Sequence, residues 1–155
     1  MTGYKAYQGN QVEGSGPLGL ILLTYEALYK ALGRAERAIE AGDIAAEADH
    51  TGRALEAIVE LSTSLNMEEG GEVAKNLASI YNYMFKCLTE GMCSSSADHV
   101  KEVMTLVQTL REGWQQLARD HQKELADHAR SSSSTQARVA ANHEPAPQMA
   151  ASYTG

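Results

Sequence analysis

Four runs of apolar residues, each stepping by alternating threes and fours, constrain this chain more than any other feature. That spacing puts one stripe of side chains on one face of a helix. The first run is Leu18, Ile21, Tyr25, Leu28, Leu32, Ala35 and Ile39. Pro17 suits a first helical turn, with Ser15 or Gly16 as cap. Gly42 then offers a left-handed stop and Asp43 a cap for the next helix. The second run is Ile44, Ala48, Thr51, Leu55, Ile58, Ser62 and Leu65, ending near the paired glycines Gly70 and Gly71. The third is Val73, Leu77, Ile80, Met84 and Cys87 or Leu88, ending at Gly91. Ser95 or Ser96 caps the fourth, which reads Val100, Val103, Val107, Leu110, Trp114, Leu117, His121 and Leu125. No stretch alternates like a strand. Short connections make neighbouring helices antiparallel, so the expected fold is an all-α, up-down four-helix bundle.

At 155 residues the chain is long enough for one self-sufficient core. Its organisation reads as an N-terminal cap segment (1–16), a bundle (17–130) and a tail (131–155). The tail holds a serine run, two prolines and few large apolar residues, a composition expected to stay disordered. Both ends are neutral, so the formal charge of −7 lies on the bundle. An acidic body argues against a sequence-independent grip on nucleic acid or an anionic membrane surface. Cys87 and Cys93 match no disulfide framework or metal motif, and no run is long and apolar enough to span a membrane. The start of the chain carries no apolar signal segment, so the expected location is the cytosol.

Two helices carry more apolar surface than a core stripe needs. On the first, Leu20 and Leu22 flank the stripe and Leu23 lies almost opposite, beside Lys30 and Arg34. The third is uncharged from Asn76 to Phe85, with Tyr81 and Tyr83 on either flank and Phe85 farther round than Tyr81. Taken singly, each is an ordinary edge-of-core residue. Two neutral, aromatic-flanked faces on one acidic domain read together as a binding groove.

Chemistry has little to work with. Glu47 and His50 make one Glu-x-x-His pair, where a di-iron bundle needs two, so no metal or other cofactor is expected. His121, Glu124 and His128 sit among Asp120, Lys123 and Asp127, as on a solvated face. No nucleophile–base pairing and no phosphate loop occurs, and the expectation is a protein without catalytic residues.

The run from Tyr7 to Leu32 resembles the start of the flagellar export chaperone family FliS, through Tyr7-Gln8, Gln11-Val12, Pro17 and Tyr25. Leu65-Asn66, Gly70-Gly71, Asn76-Leu77 and Ile80-Tyr81-Asn82-Tyr83 are similar to its most recognisable segment. Leu110, Arg111 and Trp114 look like its fourth-helix signature. Gly16 departs from the family's usual serine or threonine, Thr24 from its leucine, and Leu18 and Gly19 from its polar residues. The resemblance covers about residues 7–120 and not the tail.

The resemblance implies a cytosolic chaperone that holds the disordered C-terminal segment of flagellin. It would block premature polymerisation and deliver its client to the flagellar type III export apparatus, an export-gate component being a second partner. Client contacts are assigned to Leu20, Leu23, Tyr25, Asn66, Asn76, Tyr81, Tyr83 and Phe85, although the spacing of Tyr25 puts it on the core stripe. Tyr7 and Val12 belong to a cover that the client displaces. The alternatives are an adaptor of flagellar secretion with another helical client, and a metal-binding bundle.

Overall fold

The computed structural model describes residues 16–92 and 94–142. Tyr7, Val12 and Cys93 lie outside the described residues. The described part is four helices, α1 (Gly16–Glu40), α2 (Ile44–Thr63), α3 (Met67–Gly91) and α4 (Asp98–Asn142), with no strand among the described residues. By its internal contacts the chain divides into two units, one ending at Gln116 and one beginning at Leu117.

The connections follow from local chemistry. Gly42 has φ +68°, and the Asp43 N–H reaches the Ala38 carbonyl at 2.9 Å while the Gly42 N–H reaches that of Ile39 at 3.0 Å. These two bonds form a Schellman stop. The Asp43 carboxylate at once accepts the Ala46 N–H at 3.0 Å and starts α2. At the next corner the Asn66 side chain accepts from the N–H groups of Glu68 and Glu69, at 3.1 and 3.0 Å. The third helix therefore opens at Met67 rather than at Val73. The paired glycines are a kink inside α3: Gly71, at φ +52° and ψ −132°, separates one opening turn from the rest. Ser96 Oγ accepts the Asp98 N–H at 3.2 Å at the head of α4.

One core joins all four helices through Tyr25, Leu28 and Leu32 of α1, Ile58 and Leu61 of α2, Tyr81, Met84 and Leu88 of α3, and Val100, Val103 and Val107 of α4. Small side chains share the burial on α1 and α2, which contact each other: Ala31, Ala35 and Ala38 are buried on α1, and Ala54 and Ala57 on α2. Several expected stripe positions differ. Ile44, Val73, Leu117 and Leu125 are 78%, 66%, 51% and 56% exposed, and Ala48, Ser62 and His121 are exposed as well. In α2 the buried series is Thr51, Ala54, Ile58 and Leu61, so small alanines, not the larger residues at the helix start, make the contact. In α3 it is Ala74, Leu77, Tyr81, Met84 and Leu88, which moves Tyr81 from the flank to the centre.

The helical path of α4 runs on through Ser131 to Asn142, into a segment whose composition argues against regular structure. No glycine or proline interrupts residues 114–144, and the hydroxyls of Ser131, Ser134 and Thr135 bond back to carbonyls three or four residues earlier. Every described side chain from Arg119 onward is exposed.

Candidate binding groove

Beside the kink in α3, apolar surface has no covering element among the described residues. Ile21 of α1, Leu65 at the end of α2, Val73 and Leu77 of α3, and Trp114 of α4 line an open groove of about 300 Å³. Asn66 and Gly70 stand at its mouth. Each constraint here has a local cause. Asn66 holds the first turn of α3 by capping it, so its side-chain oxygen is already engaged. A Cβ at Gly70 would lie 2.5 Å from that of Ala74, so only glycine lets this turn pack here. The positive φ of Gly71 is a region that side chains rarely adopt.

Beneath the groove lies an aromatic group. The ring centroids of Tyr25 and Tyr81 are 6.4 Å apart, and those of Tyr25 and Trp114 are 6.5 Å apart. The Tyr25 and Tyr81 hydroxyls share a buried hydrogen bond, which satisfies two polar groups that would otherwise be costly to bury. Burial pushes both hydroxyls above the ordinary tyrosine value; their shared bond raises Tyr81 further and partly offsets the rise in Tyr25. This pair fixes the floor on which Trp114 sits, and Tyr81 itself lines the groove.

The residues nominated from sequence fall in three places. Asn66 and Tyr81 line the groove, while Tyr25 is fully buried behind it. Tyr83 and Asn76 are exposed on a different side of α3, where the Tyr83 hydroxyl donates to the Glu102 carboxylate. That bond raises the Tyr83 pKa, and Cys87 Sγ approaches the same carboxylate at 3.7 Å. Phe85, 37% exposed, lies roughly 160° round α3 from Tyr83 at ~100° per residue. Leu20 is exposed and Leu23 half-buried on α1, and neither lines the groove. Ile21, Leu65, Val73 and Trp114 were placed in the core by their spacing. The signal that marks them as groove residues is the Gly70-Gly71 pair, which interrupts the third stripe beside them.

Among the described residues no group of three or more His, Cys, Asp or Glu side chains could hold a metal ion. No helix among them is long and apolar enough to cross a membrane.

Known proteins point the same way. A family model described as flagellar protein FliS matches residues 1–121. The flagellar secretion chaperone FliS of Salmonella typhimurium is 32% identical over 122 residues, 76% of this chain and 90% of that protein. The chaperone of the same name from Campylobacter jejuni is 31% identical over 114 residues, covering 74% and 89%. FliSB of Pseudomonas aeruginosa is 33% identical over 104 residues, covering 67% and 82%. With a match across most of its length and a helical body to fit, this chain belongs to the FliS family of flagellar secretion chaperones.

Proposed function

We propose that this protein is a cytosolic export chaperone that binds the C-terminal segment of flagellin and presents it to the flagellar type III export apparatus. The observation that carries the reading is the apolar groove at the α2–α3 corner, in a chain of this family. An amphipathic client helix buries its face in such a groove. Val73 is 66% exposed and neighbouring Met67 48%, surface that gains from a partner at ~25 cal/mol per Å² covered. A client that is disordered when free spends part of that gain on ordering, which keeps the complex reversible. Nothing in this role calls for catalysis.

Leu20, Leu23, Asn76, Tyr83 and Phe85 extend the contact beyond the groove, as a long client wrapping two sides of α3 requires. Asn66, Tyr25 and Tyr81 shape the groove from its mouth and floor. The segment holding Tyr7 and Val12 acts as a cover displaced by the client. Residues 17–130 form the chaperone body, and an export-gate component receives the loaded complex.

Calorimetric titration with the C-terminal segment of the cognate flagellin tests the reading. Saturable one-to-one binding with a negative heat-capacity change is expected. Val73→Asp should weaken it at least tenfold, about 1.4 kcal/mol, while Val59→Asp, at an exposed α2 position outside the groove, should not. Equal affinity in both variants would move the site elsewhere, and no binding would remove flagellin as the client.

A further inference from the structure

A second groove, of about 570 Å³, shares no lining residue with the first. Its floor is Tyr29 and Gly33 of α1 with Met104 of α4. Lys30, Arg34 and Arg37 stand along its α1 side, one helical turn or less apart. On the α4 side, Lys101 Nζ is 3.8 Å from Glu36, and the Arg111 guanidinium stacks 4.9 Å over the Tyr29 ring.

The placement of charge is uneven. Residues 16–116 carry eight lysines and arginines against fifteen aspartates and glutamates. Three of the eight cations, Lys30, Arg34 and Arg37, line this groove, and Lys101 and Arg111 contact two of its lining residues, Glu36 and Tyr29. Glu36 and Glu40 also line the groove and Glu26 lies 3.7 Å from Lys30, so the local balance is positive but partly offset, where the rest of this body is acidic. Arg34 and Arg37 have no carboxylate within 4 Å among the described residues, and the buried Nε of Arg111 has no hydrogen-bond partner there. A cationic strip maintained on an acidic body is matched by an anionic ligand. The apolar floor between the cations matches the face of a helix rather than a bare phosphate chain, and the surrounding acidity repels extended polyanions.

We propose that this α1–α4 groove docks an acidic, amphipathic helical segment of a second protein partner, bound at the same time as the client in the first groove. The partner's carboxylates pair with Arg34 and Arg37, and its apolar residues cover Tyr29 and Met104. Arginine's planar fork suits paired carboxylates.

The test uses the full chain and a fluorescein-labelled helical peptide with glutamate at i,i+4 positions opposite a leucine face, read by fluorescence anisotropy. Controls are its lysine-for-glutamate counterpart and a single-stranded oligonucleotide of similar charge. Expected are saturable binding of the acidic peptide alone, loss of affinity as salt rises, and at least tenfold weakening by Arg34→Glu plus Arg37→Glu. Val73→Asp should leave this binding unchanged, and the flagellin C-terminal segment should not displace the peptide. No binding, equal binding of the lysine peptide, or equal binding in the double variant would overturn the proposal. Tighter binding of the oligonucleotide would assign the strip to nucleic acid. Displacement by the flagellin segment would make it part of the client's path.

Discussion

Thr51 is 1% exposed, and its hydroxyl has no hydrogen-bond partner among the described residues. Replacing that oxygen with a methyl group keeps the shape and removes an unsatisfied polar group, so Thr51→Val should raise stability by about 1 kcal/mol in urea unfolding. The Tyr25–Tyr81 pair is the opposite case, a buried polar contact that is satisfied. Both hydroxyls ionise at higher pH in the folded chain than in the unfolded one, whose tyrosines titrate near 10. Their contribution to stability is therefore fully present below about pH 10 and lost as pH rises above it, because only the unfolded state then releases these protons. Denaturation midpoints should fall through that range alongside tyrosinate absorbance, and Tyr25→Phe plus Tyr81→Phe should flatten the fall. The sequence shows that Tyr25 lies on a core stripe. It does not show that Tyr81 joins it, because a tyrosine's polar tip favours the edge unless another hydroxyl reaches it.

At the scale of elements, the stripes on α1 and α4 are legible because large residues mark them at regular spacing, Tyr25, Leu28, Leu32 and Ile39 on α1 and Val100, Val103 and Val107 on α4. Two helices are harder to read. In α2 the buried face is carried by Ala54 and Ala57, which have weak hydrophobic signals of their own, while the conspicuous Ile44 is exposed. In α3 the Gly70-Gly71 pair reads as a turn, but the Asn66 cap lets a helix start before it and kink across it. The groove lies beside that kink, so in the sequence the candidate site shows only as a break in the pattern. Gly71→Ala places a side chain at φ +52° and should cost ~1–3 kcal/mol in denaturant unfolding. It should also weaken flagellin-segment binding, since the opening turn of α3 carries Glu69 and Gly70 at the groove's edge. Unchanged binding together with reduced stability would separate the kink from the site.

For the molecule as a whole, residues 16–116 hold both grooves and the shared core. The family match ends at residue 121, while α4 continues to Asn142 with every described side chain exposed from Arg119 onward. A helix that buries no face rests on local hydrogen bonds and propensity alone, which leave it marginal in water. The serine run sits in this stretch, where the hydroxyls of Ser131, Ser134 and Thr135 bond the helix's own carbonyls rather than another element. The composition of the tail and the exposure of residues 131–141 motivate a prediction, that residues 131–155 are dispensable for stability and for client binding. Deleting them should lower the helical circular-dichroism signal yet leave the urea midpoint and the flagellin-segment affinity unchanged within error. A lost midpoint would mean the extension packs on the bundle, and lost affinity would place part of the client site within it.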